Sequence, residues 1–370
     1  MLMLMVIFGA GASYDSVSSL PPPPPSGFVP PGLPPPRPLD NDDRPPLANE
    51  LFDNRREFVS VMDKFPQCKP IISRLRSGNV EQELEVLQEE AEEYGIRHSQ
   101  LAALRFYLQS NIWGCENRWE QRVARGITNY LSLLDCIERW RDRTSNGEEV
   151  VLGGYRRVCL VTFNYDTLLE KALDVHRVPT GDIDSYVSGP VYQIVKVHGS
   201  VNWVREVANR FPGVGEDDQK CVRYLIDHAH ELQISSTYRV IRGPGVGFVR
   251  ETRMAAFPAI AIPVERSKSF ECPDQHLQAL QRSLPSVSKL LIVGWRGAER
   301  HFIDLLKNRL PPNTPGLVVA RSHKDGKAVV ENLAPLRLRL MLPPPTIQGF
   351  SRFLQERDFV YQFLQPGFGA

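Results

Sequence analysis

The chain has 370 residues, with 44 Lys and Arg against 43 Asp and Glu, for a net charge of +1. That balance excludes an overall basic field for nucleic acid, while 42% hydrophobic and 24% charged residues exclude wholesale disorder and a polytopic membrane protein. The one abnormal count is proline, at 31.

Met1 to Phe8 is apolar but too short to span a bilayer, has no basic residues ahead of it and runs straight into glycines, so it reads as a buried strand and not as a signal peptide. Gly9-Ala10-Gly11-Ala12-Ser13 follows as a glycine turn opening a helix. Glycines there let the backbone approach a pyrophosphate, and the helix N-terminus offers N–H groups to its charge. A nicotinamide dehydrogenase is disfavoured: its third glycine falls on Tyr14, and its acidic residue about 20 positions on falls in proline-rich sequence. A Walker loop is excluded because no Gly-Lys-Ser/Thr follows.

Residues 1–20 thus form the first strand and glycine loop of a core. Residues 21–46 hold thirteen prolines and form an extended loop, either a flap near the site or an inert excursion. Residues 47–145 read as an inserted helical subdomain. Its apolar faces are Leu84, Leu87, Ala91 and Tyr94, then Leu101, Leu104, Leu108 and Ile112, then Val123, Ile127, Leu131 and Leu134. The acidic run from Glu81 to Glu93 belongs to the first of these helices as a solvated face.

Residues 150–342 form the rest of the core. Strands are expected at Val158 to Phe163, Val191 to Val197, Pro258 to Val264, Lys289 to Val293 and Gly316 to Ala320, with helices at Asp166 to Val175 and His301 to Leu310. Continuous apolar strands separated by helices imply an α/β fold, a Rossmann-like parallel sheet with helices on both faces. In the tail, residues 343–370, the stripe Phe350, Phe353, Leu354, Tyr361 and Leu364 reads as core packing or as an oligomer contact.

Three strand ends carry polar or glycine-rich motifs, and ligands of open α/β sheets bind outside the carboxyl ends of strands. Thr162-Phe163-Asn164-Tyr165-Asp166 is the first. Asp166 has a structural role available as a helix cap, whereas for Asn164 the structural alternative is a turn amide bonding its own backbone. Val197-His198-Gly199-Ser200 is the second, placing His198 as a general base aimed into a cleft. Val293-Gly294-Trp295 is the third, glycine plus an aromatic that could close on an adenosine or ribose.

Elsewhere, Asp227-His228-Ala229-His230-Glu231 reads as a solvated helix or loop, with a metal site as the alternative. Arg239, Arg242, Arg250 and Arg253 around a glycine-rich hairpin read as surface arginines, with a flexible phosphate-contacting hairpin as the alternative, and no stripe of basic and aromatic residues marks a nucleic-acid site. Six scattered cysteines contain no CxxC pair, and a reducing cytoplasmic compartment fits them.

The ordered set GAGAS, TFNYD, VHGS and VGW, with PLANELF from Pro46 to Phe52, resembles the sirtuin-like domains of bacterial antiphage defence proteins, relatives of the NAD+-consuming sirtuins. The resemblance runs from Met5 to about Ala320. It implies Asn164 and His198 as catalytic residues. It further implies Gly9, Ala10, Gly11, Ala12, Ser13, Asp15, Phe163, Asp166, Gly199, Ser200, Gly294 and Trp295 as the NAD+-binding set. Deacylase sirtuins carry a zinc module with two CxxC pairs, which this chain lacks, and a Gln where Phe163 stands. The resemblance therefore implies an NAD+ hydrolase without zinc that depletes the cofactor in bacterial cytoplasm. It also implies a homo-oligomer and a partner such as a HerA-type translocase ATPase or a short Argonaute, with no membrane contact. A non-catalytic NAD+ or ADP-ribose sensor and an assembly scaffold are the competing functions.

Overall fold

A computed structural model describes residues 3–16, 44–122, 128–143, 157–208, 217–243, 247–249, 252–264, 270–365 and 368. Its strands are β1 (Met3–Phe8), β2 (Arg157–Thr162), β3 (Tyr192–Lys196), β4 (Gly199–Val207), β5 (Ile234–Val240), β6 (Phe248–Val249), β7 (Met254–Ile260), β8 (Val287–Val293), β9 (Pro315–Val319) and β10 (Arg339–Met341). Six of them make a parallel sheet in the order β10-β9-β8-β1-β2-β3. The chain starts at the centre, builds β2 and β3 on one side, then crosses back to build β8, β9 and β10 on the other. The order therefore reverses between β1 and β8, and the crevice outside their carboxyl ends is the place where such sheets bind ligands.

Every residue of β1 is buried, and its two faces feed different cores. Leu4, Val6 and Phe8 pack with Leu133, Leu134 and Ile137 of the helix Asn129–Arg143, and with Phe350 and Phe353 of the tail. Met5 and Ile7 pack on the opposite face with Leu280, Phe302, Ile303 and Leu306. Each such side chain stabilises the fold by about 1.5–3 kcal/mol when fully buried. The sheet is thereby covered on both faces, as its continuous apolar strands require.

A second sheet departs from the sequence expectation. Strands β5-β4-β7-β6 form an antiparallel sheet. The strand expected at Pro258 to Val264 begins earlier, as β7, and belongs to this second sheet rather than to the parallel one. Strand β4 starts one residue after His198, because Gly199 turns the chain with φ +77° while a Cβ there would lie 1.9 Å from the Ala259 carbonyl oxygen.

Between β1 and β2 the described chain is helical, and the 28-residue helix Gly95–Arg122 spans the block. Leu101, Leu104, Leu108 and Ile112 are buried. Its core joins the inner face of the antiparallel sheet through Val201, Val207, Phe257 and Ile260. Leu84, Leu87 and Ala91 are buried as expected, but Tyr94 is 57% exposed: the helix Val80–Glu90 stops before it, so the helical stripe does not reach it. Glu83 and Glu90 of that helix pair with Arg74 and Arg97.

Val123 and Ile127 lie outside the described residues, as do residues 21–43 of the proline segment and Arg250. Where the chain re-enters, Arg44 lies over the Tyr14 ring at 4.8 Å. The tail stripe is core, with Phe350, Phe353, Leu354 and Leu364 buried. No described helix is long and apolar enough to cross a membrane.

Candidate active site

Strands β1, β2 and β8 end level, Phe8 opposite Thr162 on one side and Val293 on the other, and Thr162 is opposite Lys196 of β3. The residues that follow these ends are Gly9, Phe163, Gly294 and Val197, so the register alone gathers all four motifs at one edge of the sheet.

The two glycine turns touch. Gly9 N–H donates to Val293 O at 3.0 Å and Gly11 N–H to Gly294 O at 3.2 Å. A Cβ on Gly9 would lie 2.5 Å from Gly294 O, and one on Gly294, whose φ is +62°, would lie 2.4 Å from Ala12 N. Glycine is thus required on both sides of the switch point. The helix Ala10–Ser16 starts immediately beyond, with Ala10 exposed at its N-terminus and Ala12 buried.

Asn164 ties this loop to β2. Its Nδ2 lies 2.9 Å from Gly9 O, 2.8 Å from Ser13 Oγ and 2.8 Å from Tyr130 OH. Ser13 Oγ and Tyr130 OH are themselves 2.8 Å apart. The Asn164 Oδ1 is buried without a hydrogen-bond partner, a state that costs about 1–3 kcal/mol unless a ligand supplies a donor. Asp166 accepts from Leu168 N–H at 3.1 Å, the capping role open to it from sequence. Burial pushes its carboxyl above the usual range, against the pull of Lys196. Lys196, fully buried two residues before His198, donates to Asp166 O at 2.5 Å and to Glu170 Oε1 at 2.7 Å, fastening the Asn164 turn to β3.

His198 sits edge-on to Phe163 at 5.0 Å, and Phe163 stacks on Trp295 at 5.0 Å and 10°. Burial pushes the imidazole down to about 4, so it is neutral at pH 7 and, without a bound anion beside it, a weaker base than a free imidazole.

The remaining candidates lie elsewhere or are engaged. Ser200 is fully buried and its hydroxyl donates to Tyr165 O at 3.2 Å. Asp15 Oδ2 accepts from Ser351 N–H at 2.7 Å, anchoring the tail helix Gly349–Gln355 to the glycine-loop helix. Gly199 is the αL turn into β4. The Asp227 to Glu231 segment ends the helix Asp218–Asp227 and enters a short 3-10 turn. Among the described residues no three His, Cys, Asp or Glu side chains gather as a metal set, and the six cysteines are buried, none of them in a disulfide.

Sequence reasoning missed three participants. Tyr130 completes the Asn164 cluster from the inserted block. Trp295 Nε1–H donates to Glu299 Oε2 at 2.5 Å, and burial pushes that carboxyl up. His301, both ring nitrogens buried and unpartnered, is held down by burial and by the nearby His198. For Glu299 the only available signal was its spacing of four from Trp295 across a helix start; for Tyr130 it was an apolar helix face.

No family model matches the chain, and no curated protein matches it. Solved structures similar to it include a crystal structure of a Sir2 homolog–NAD complex, at 13% identity, covering 98% of this chain and 91% of that one, with a TM-score of 0.39. A mutant Sir2 homologue with ADP-ribose is 12% identical, covering 90% and 92%, with a TM-score of 0.35. Another with 2′-O-acetyl ADP-ribose is 13% identical, covering 90% and 92%, with a TM-score of 0.37. Overlaps at these scores carry no argument about chemistry, and the α/β class rests on the strand order itself.

Proposed function

We propose that this chain cleaves NAD+ to nicotinamide and ADP-ribose as a sirtuin-like hydrolase, and not as a protein deacylase. The observation that carries the reading is the convergence of Asn164, His198 and the Phe163–Trp295 stack on the β1–β8 switch point.

In this reading the pyrophosphate lies against the start of the helix Ala10–Ser16. The C1′–N bond to the pyridinium breaks, its electron pair stays on nicotinamide, and the ribose develops oxocarbenium character. Asn164 Oδ1 accepts a hydrogen from the attacking water, and neutral His198 takes the water's proton as the new C1′–O bond forms. The negative pyrophosphate raises the proton affinity of His198 when bound. Phe163 and Trp295 wall the crevice, and their rings exclude bulk water from the cation.

A binding-only function is the second reading, favoured by one observation: Asn164 Nδ2 is already committed to holding the glycine loop. The defence role, cytoplasmic setting, homo-oligomer and a HerA-type or Argonaute partner belong to the proposal through the motif resemblance alone. Incubation of the purified chain with NAD+ and chromatography of the products decides between the readings. Equimolar nicotinamide and ADP-ribose supports the hydrolase; NAD+ binding without cleavage supports the binding module.

A further inference from the structure

Strands β1, β2 and β3, which end at the crevice, begin at a cavity on the opposite edge of the sheet. Its volume is about 240 Å³, and it is lined by Met3 at the start of β1, Arg157 at the start of β2, Gln193 of β3, and Arg282, Ser283 and Ser286 beside the helix Asp274–Ser283. Arg157 and Thr162 stand five positions apart on β2, which at about 3.3 Å per residue puts this cavity roughly 16 Å from the crevice.

Donors dominate its wall. Gln193 is 1% exposed; its Oε1 accepts from the Ser283 hydroxyl at 2.6 Å, which leaves Nε2 as the amide's donor end, buried and without a hydrogen-bond partner. Arg157 Nε is likewise buried and unpartnered. Among the described residues neither Arg157 nor Arg282 forms an ion pair, and no carboxylate lines the cavity. A buried amide donor left unpaired is destabilising, and two guanidinium forks with no carboxylate between them suit a planar or tetrahedral oxyanion, which they can bind bidentately.

We propose that this cavity binds a small phosphate-bearing anion, with Arg157 and Arg282 gripping its oxygens and Gln193 Nε2 donating from the floor. The volume is below that of typical sites for drug-sized ligands, so the ligand is free phosphate or a small phosphomonoester and not a dinucleotide. The site is separate from the NAD+ crevice and does not depend on that reading.

The test is calorimetric titration of the full chain with inorganic phosphate and, separately, with glycerol 3-phosphate, the tighter of the two identifying the source. Arg282 is exposed on its helix, so Arg282→Gln leaves the fold intact, and it is expected to weaken binding about tenfold to a hundredfold. Gln193→Glu keeps the acceptor for Ser283 and replaces the donor by a carboxylate, and it is expected to abolish binding. Saturating ADP-ribose leaves phosphate binding unchanged. Absence of binding to wild type, equal binding by Arg282→Gln, or displacement by ADP-ribose would overturn the proposal.

Discussion

The strands of the parallel sheet that end at the crevice and strand β5 of the antiparallel sheet differ in how they are buried, and the site motifs follow the buried ones. All six residues of β1 are buried, as are the last five of β2 and of β8. No residue of β5 is fully buried, and Ser236 and Thr237 are exposed. A strand fixed on both faces holds the residue after it in one place, which a catalytic amide or imidazole requires. Strand β5 is not fixed on both faces, and it carries no site motif.

The comparison breaks most readily at the crevice. His198→Ala is expected to lower NAD+ turnover by about 10²–10⁴-fold with KM little changed, the signature of a lost general base. Gly294→Ala meets both a positive φ and a backbone overlap, and a loss of at least about 2 kcal/mol in denaturant unfolding is expected. Phe163→Leu removes ring contacts to Trp295, His198 and Phe302 and is expected to lower stability by about 0.5–1.5 kcal/mol. At the other extreme, Ser236→Thr on β5 is expected to stay within about 0.5 kcal/mol. An equal response at Gly294 and Ser236 would erase the contrast between the sheets.

The pH dependence sharpens it further. His198 titrates near 4 in the folded chain against an ordinary 6.5. Between those values the unfolded chain binds more protons, so stability is lost as pH falls from about 6.5 to about 4. His198→Gln is expected to flatten part of that slope in pH-dependent unfolding. His276 and His301, also held low, add to the slope in the same direction, while Glu116, Asp166 and Glu299, held high by burial, oppose it.

What sequence showed, and what it hid, follows the same division. Strands β1, β2, β3, β8 and β9 were legible because full burial writes an unbroken apolar run, and their glycine or polar ends marked the crevice. The antiparallel sheet was legible only at β7, which was read as a strand of the other sheet: Arg205 and Glu206 interrupt β4, and Ser235 to Thr237 interrupt β5, so neither of those reads as a core strand. Asn164 and His198 were visible by position, but the cluster that holds Asn164 was not. Tyr130 comes from a helix more than 30 positions away in sequence, and only folding brings its hydroxyl to Ser13. Asp15 and Ser200 showed the converse: they sit within site motifs, yet the tail helix and the Tyr165 carbonyl engage them.

In the proposed function the crevice at the β1–β8 switch point performs chemistry with His198 as its base. Nicotinamide release from NAD+ by wild type and by His198→Ala, each checked for NAD+ binding, tests it most directly. The account predicts turnover by wild type, its near loss in the variant and binding retained by both. Equal turnover by the two proteins would contradict it.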